Sequence, residues 1–318
     1  MDRSGKFRKL LKEKEFLVTP GVGNPLHALI VEQVGFDWVY MSGYSTNLSI
    51  LGTPDVGLMT ETEMVTNARH IARCVKIPVI ADADTGFGNA VNVMRTVEDY
   101  ESAGVAGIHM EDQVSPKRCG HLAGKMVIPI EEAVGKIRAA VAARKNKDFV
   151  IIARTDAMAA VDGGFEEALR RGKEYAQAGA DVVFCEFPSP DPREPKRFAE
   201  GMHREFPGLP LFFNYSSSFR WVDSPLTFKD VSGMGYQLII VSLGCLRASL
   251  KAVWDYVVDL KERDEEAEKD FQKKLRNHPT EDFNAFAGFP GIREIEAKFL
   301  PSEEVRRKYE KSKGLHGR

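Results

Sequence analysis

The chain has 318 residues, is 43% hydrophobic and 28% charged, and carries a formal net charge of −2. That length suits one large barrel of alternating strands and helices, or two ordinary domains. Acids and bases are interspersed, which argues against a basic face for nucleic acid or an anionic membrane, and no apolar run reaches the roughly 18 residues of a membrane span.

The N-terminus, MDRSGKFRKLLKEKE, is charged and has no apolar core of the signal-peptide kind. After this amphipathic leader, which carries Phe7, Leu10 and Leu11, a short apolar run at 16–21 is stopped by Pro20 and Gly21. Further strand-like segments, rich in β-branched and aromatic residues, stand at 38–42, 77–83, 107–111, 149–154, 181–186, 210–214 and 237–242. Helical patterns lie between them at 25–34, 61–74, 90–103, 130–144, 165–178 and 195–206. Eight strands in alternation with helices predict an α/β fold, a (β/α)8 TIM-type barrel. Residues 248–264 read as the last barrel helix, with Leu250, Val253, Trp254, Val257 and Leu260 at helical spacing. A charged helix and a loop bearing Phe283, Phe286 and Phe289 follow; packing onto the chain's own barrel or docking onto a neighbouring subunit would cover those rings, and the second is the expectation. The expected division is therefore a barrel with its leader helix over 1–262 and an oligomerising helical extension over 263–318. Cys74, Cys119, Cys185 and Cys245 lie far apart without CxxC spacing, the pattern of reduced thiols in a cytoplasmic protein.

In such a barrel the site lies at the C-terminal ends of the strands. The residues there are Ser42 and Gly43, Asp82 and Asp84, Glu111, Arg154 and Asp156, Glu186, Asn214 and Ser242. Asp82 and Asp84 stand two apart, so on a strand both would share a face. With Glu111 and Asp55 they make an oxygen-rich site for Mg2+, with Mn2+ as a possible substitute; no His/Cys cluster has zinc spacing. Two residues before Glu111, His109 faces the same way and is expected to orient the acids. Arg154 can grip a carboxylate or stabilise developing negative charge, the alternative being an ion pair with Asp156 or Glu186. Asn214, Ser216 and Ser218 offer a receptor for a second carboxylate, and Tyr40 and Ser42 frame another. Cys119 sits at the tip of a polar loop with Lys117, Arg118 and His121 close by, a setting that favours the thiolate. Together these suit a small polyanionic substrate chelated to Mg2+, with Cys119 arriving on a mobile loop to transfer a proton.

The motifs YMSG, ADADTGFGN, EDQ, KRCGH and IARTD, in this order and spacing, resemble the isocitrate lyase/phosphoenolpyruvate mutase superfamily over about residues 14–262. The resemblance implies an Mg2+-dependent barrel, commonly a homotetramer that exchanges C-terminal helices, and KRCGH implies its carbon–carbon lyase branch. Carried over by position, Asp82 would hold the metal, with Asp55, Asp84 and Glu111 acting directly or through water. Ser42 and Gly43 would bind a 2-oxo-acid carboxylate, with Tyr44 and Gly120 beside them, and Arg154 the oxygen on the cleaved carbon. Cys119 would be the general acid, supported by His121 and Glu186, with Tyr40 as the opposing base and Lys117 in the catalytic group. Asn214, Ser216 and Ser218 would bind a succinate-like half. The run NYSSSFRW from Asn214 resembles isocitrate lyases, whereas Phe184 stands where those carry a larger Trp and leaves room for an extra methyl group. The implied substrate is a tricarboxylate of the isocitrate type. 2-Methylisocitrate, 2,3-dimethylmalate and oxaloacetate are the alternatives, and P–C chemistry or a non-catalytic metabolite-binding barrel are the rival readings.

Overall fold

The computed structural model describes residues 2–120, 123–299, 302–304 and 307. Contacts divide the chain into two compact units, Met1–Ala248 and Ser249–Arg318. The first unit opens with α1 (Arg3–Glu13) and then alternates: β1 (Leu17–Val22), α2 (Pro25–Val34), β2 (Val39–Met41), α3 (Gly43–Leu51), α4 (Glu61–Cys74), β3 (Val79–Asp82), α5 (Ala90–Ala103), β4 (Gly107–Glu111), α6 (Ile130–Ala143), β5 (Val150–Thr155), α7 (Phe165–Gln177), β6 (Val182–Cys185), α8 (Arg193–His203), β7 (Leu211–Asn214), α9 (Phe228–Gly233) and β8 (Tyr236–Val241). The eight strands pair in parallel in sequence order, and β8 closes on β1 with Leu238 opposite Leu17. This is a TIM-type α/β barrel, as expected.

Strand periodicity explains how the barrel positions its site. Val39, Met41, Val79, Ala81, Ile108, Met110, Ile151, Ala153, Val183, Cys185 and Phe213 face outward and pack with the helix layer in one core. Their alternates, Tyr40, Ile80, Ile152, Phe184, Phe212, Leu238 and Ile240, fill the barrel interior as a second core. Side chains alternate with period two, so the next inward positions up the strands are Asp82, Glu111, Arg154, Glu186, Asn214 and Ser242. An apolar interior thus ends in a polar ring at the C-terminal mouth.

The opposite end is closed by α1. Asp2 caps this helix by accepting from Gly5 N (2.7 Å). Arg3 donates to Val75 O and Gly104 O, and Arg8 to Phe149 O and Asp181, all at or just before the starts of strands. Buried Phe7 packs on Trp38 with centroids 5.4 Å apart; Trp38 meets Phe212 at 6.2 Å, and Phe212 stacks on Phe184 at 4.7 Å. Burying one such ring contributes about 1.5–3 kcal/mol.

Two helices of this unit escape a periodicity reading. The α3 sequence GYSTNLSIL has few strong helix formers; a Ser42 cap, whose Oγ accepts from Ser45 N at 3.3 Å, and a left-handed Gly52 delimit it instead. The short α9 starts at a Thr227–Asp230 capping box.

The second unit takes up most of α10 (Gly244–Arg263), with α11 (Glu265–Leu275), the single turn α12 (Phe283–Phe286) and α13 (Phe289–Phe299). The division falls near the start of α10, whereas the sequence pattern places it near that helix's end, at 262/263. Within this unit Tyr256 packs against Phe271 (4.8 Å) and its hydroxyl donates to Glu268. Leu250, Val253 and Val257 are exposed, as is Trp254 at 73%, so the apolar stripe of α10 is uncovered. Among the phenylalanines at 283, 286 and 289, Phe283 is exposed, and Phe286 and Phe289 are half-buried. Among the described residues no helix is long and apolar enough to cross a membrane.

Candidate active site

A pocket opens at the barrel mouth. Tyr40, Ser42 and Tyr44 line it from β2 and α3, Asp82 and Glu111 from β3 and β4, and Arg154, Glu186, Asn214 and Ser242 from the later strand ends. Asp55, Lys117, Cys119, Gly120 and Leu243 complete the wall. The loop thiol and the strand-end acids are thus brought to one cavity. His121 lies outside the described residues. Ser216 is buried and Ser218 exposed, the Ser218 amide donating to Ser216 Oγ at 3.2 Å, and neither lines the pocket. Phe184 lies beneath the pocket rather than in its wall, with the Arg154 guanidinium 5.1 Å above its ring.

Arg154 is the hub. It forks Asp156 through Nε (2.9 Å) and Nη2 (3.0 Å), and lies 3.4 Å from both Glu111 and Glu186. The ion pairs with Asp156 and Glu186 are present, and Arg154 also lines the pocket. Burial raises the Glu111 and Glu186 carboxyls, and Arg154 only partly opposes this. Asn214 turns its amide nitrogen onto Glu186 at 3.1 and 3.2 Å. That leaves Asn214 Oδ1 without a partner; Ser242 Oγ, also buried, has none either. Unsatisfied buried polar atoms on a pocket wall are groups for a polar ligand to engage.

The acid side differs in detail from a strand reading. β3 ends at Asp82, and Asp84 sits at φ 47°, so it enters the site through a turn, not by strand alternation. Its amide donates to Asp82 Oδ1 (2.9 Å), while Gly43 N donates to Asp82 Oδ2 (2.9 Å). A β-carbon on Gly43 would stand 2.5 Å from that oxygen, so only glycine starts α3 here. Lys117, expected beside the thiol, instead pairs with Asp55 (2.7 Å) and Asp84 (2.6 Å), and Arg118 reaches Ala123 O. Tyr40 Oη lies 2.7 Å from His109 Nε2, which is 3.4 Å from Asp82 Oδ1. Burial, reinforced by Asp82, holds the Tyr40 phenol well above its ordinary value, so Tyr40 rests protonated. His109 thus meets the acids as its spacing predicted.

A family model described as phosphoenolpyruvate phosphomutase matches residues 7–261. An isocitrate lyase of Haloferax volcanii is 42% identical over 98% of this chain and 91% of its own length. A 2,3-dimethylmalate lyase of Eubacterium barkeri is 43% identical over 94% of this chain and 99% of its own. The chain belongs to the phosphoenolpyruvate mutase/isocitrate lyase superfamily. It is an enzyme of the lyase type, as these relatives are named. Among solved structures, a phosphonopyruvate hydrolase in complex with oxalate and Mg2+ superposes with a TM-score of 0.78 and 31% identity, covering 95% of this chain and 100% of that one.

Do the residues of this superfamily member fit Mg2+? Among the described residues no three His, Cys, Asp or Glu side chains are gathered closely enough to hold a metal unaided. Mg2+ does not need such a cage: it keeps several waters and binds one or two carboxylates plus substrate oxygens. The donors here are all carboxylate oxygens, and they are crowded. Burial, with repulsion from Asp82 and Asp55, pushes Asp84 up to about 7 despite Lys117. A hard cation would offset that crowding of carboxylates, and the all-oxygen donor set fits one. Three further polar residues contribute. Asn47 donates to Asp55 Oδ1 (3.3 Å), and Gln113 links Glu111 to the Arg118 amide at 3.0 and 3.1 Å. Lys125, at the end of the same KRCGH loop, is the third. Each is an ordinary polar residue in sequence, and only the folded loop gives it a partner.

Proposed function

We propose that the chain is an Mg2+-dependent carbon–carbon lyase, cleaving an isocitrate-type 2-hydroxy tricarboxylate to succinate and glyoxylate by retro-aldol (Claisen-type) chemistry. The observation that carries this reading is the Cys119–Gly120 loop on the wall of the same pocket as Arg154 and the strand-end acids. When bound by Asp82 with help from Asp55, Asp84 and Glu111, Mg2+ would supply a Lewis acid for the substrate's hydroxyl and carboxylate oxygens. The remaining steps fall to the chain's own side chains. The substrate hydroxyl gives its proton to Tyr40, which can pass its own to His109 through their 2.7 Å contact. As the carbonyl forms, the C–C bond breaks and its electron pair moves onto the carbon beside a carboxylate. Cys119 gives that carbon its proton, with His121 and Glu186 in supporting roles. Arg154 stabilises the oxygen on the cleaved carbon. Ser42, Gly43, Tyr44 and Gly120 bind the oxo-acid half. Asn214 and Ser242, with their unpartnered oxygens, and the Ser216–Ser218 loop bind the succinate half. The enzyme is read as cytoplasmic and, through its C-terminal helices, as a homotetramer.

A second reading has its own observation. Phe184 is fully buried directly below Arg154, and a ring smaller than Trp at that position would favour the bulkier 2-methylisocitrate, giving succinate and pyruvate. One methyl is worth only about 1–3 kcal/mol of discrimination. The test is a side-by-side assay with Mg2+ on D-threo-isocitrate and (2R,3S)-2-methylisocitrate, following glyoxylate and pyruvate separately. Preferred release of glyoxylate supports the first reading and of pyruvate the second. Turnover of neither, with cleavage of 2,3-dimethylmalate or oxaloacetate, would move the enzyme to a dicarboxylate. Cys119→Ser is expected to lose at least about 100-fold in kcat with the fold intact, the scale of a lost general acid; near-full activity would remove Cys119 from that role.

A further inference from the structure

Lys125 is a cation that the proposed reaction leaves without a task, yet it is only 2% exposed. Its backbone is fixed. Val161 N donates to Lys125 O (2.9 Å), and the neighbouring limb is tied by Val114 N to Met126 O and Ile128 N to Asp112 O, both 2.9 Å. From this base the side chain turns back to the loop tip, where Nζ donates to Gly120 O at 2.6 Å and to Asp156 Oδ1 at 3.1 Å. Asp156 is the residue forked by Arg154. Gly120 itself lies directly over that guanidinium, since a β-carbon there would stand 2.3 Å from Arg154 Nη2. The ring of Phe219, from the loop after β7, has its centroid 6.0 Å from Nζ. One buried ammonium therefore joins the Cys119 loop, the end of β5 and the β7 loop. A buried charge is costly unless its partners are all in place, and Gly120 O is one of those partners.

We propose that Lys125 is a positioning residue that seats the Cys119–Gly120 segment on Arg154 and so sets the thiol at the pocket. Its effect on turnover rests on the lyase reading above; its effect on the loop does not. Lys125→Met replaces the ammonium by an uncharged chain of similar length. In the full-length protein, iodoacetamide modification of Cys119 and tryptic cleavage after Arg118 are followed by peptide mass mapping, alongside kcat and KM. Both modification and cleavage are expected to rise by about tenfold or more, the scale of one lost hydrogen bond to a charged group. Buried Cys185 should keep its native rate. On the preferred substrate kcat should fall by a similar factor while KM moves less than about threefold. Native-rate modification of Cys119, or acceleration of Cys119 and Cys185 together, overturns the proposal. Faster Cys119 modification with no hydroxy acid turned over by either protein keeps the loop assignment and defeats the lyase reading. Should Lys125→Met fail to fold, Gly120→Ala reads the same seat. Its methyl would meet the Arg154 guanidinium, which the Asp156 fork holds in place, so the loop is expected to lift; Cys119 modification at the native rate in that variant overturns the proposal, and faster modification supports it.

Discussion

Asp156 has no solvent to share its charge, and its two cationic neighbours decide its behaviour. Burial works to raise its carboxyl, but Arg154 and Lys125 outweigh that and hold it well below its ordinary 3.8. A carboxyl depressed by folding contributes stability that is full above its unfolded value and is lost as pH falls through the folded one. The urea midpoint should therefore drop as pH is lowered below about 4, and Asp156→Asn should flatten part of that slope. The same variant should cost about 3–5 kcal/mol at pH 7, the scale of breaking a buried pair. A second expectation at this scale concerns Gly43. Gly43→Ala puts a methyl against Asp82 Oδ2, so turnover should fall by at least about tenfold, with a melting temperature near native, as a steady-state assay and a thermal melt would show. Strand alternation made Asp82, Glu111, Arg154, Glu186 and Asn214 legible before any coordinates. It could not place Asp84, which enters through a positive-φ turn, or Lys117, whose ammonium crosses to acids distant in sequence.

The elements tell a similar story. All eight strands are found within a residue or two of their expected bounds, because each is a short apolar run bounded by polar residues. The helices α2, α4 and α5 match their expected bounds because capping residues and apolar spacing agree there. In α3 spacing and propensity are both silent, and the cap alone defines the helix. The α1 leader was visible as an amphipathic pattern, but its role as the barrel floor was not, since that depends on Trp38 and Phe212 arriving beneath it. Phe7→Ala should lower stability by about 3–5 kcal/mol, as a buried ring lost to a cavity does, with the urea midpoint as the measure. KM should hold, because Phe7 lies at the opposite end from the pocket.

For the molecule as a whole, the uncovered stripe of α10 bears most directly on assembly. Exposed Leu250, Val253, Trp254 and Val257 share one helix in the second unit, and a contiguous apolar face of this kind marks an association surface. We expect a homo-oligomer held in part by it. Trp254→Asp should shift the sedimenting species to a smaller one, and an unchanged sedimentation coefficient would exclude α10 from the interface. The sequence pattern reads α10 as the last barrel helix and points to the rings of Phe283, Phe286 and Phe289 as the docking surface, so the exposed face of α10 is legible only once the chain is folded.

The barrel closed from below by Phe7 and Trp38 has a kinetic corollary. A cul-de-sac has one door, so two fragments made inside it must queue. If the reaction is the proposed cleavage, the fragment nearer the mouth departs first, and the other stays behind to compete with incoming substrate. Product-inhibition patterns should then be unequal, competitive for the last fragment out and noncompetitive for the first.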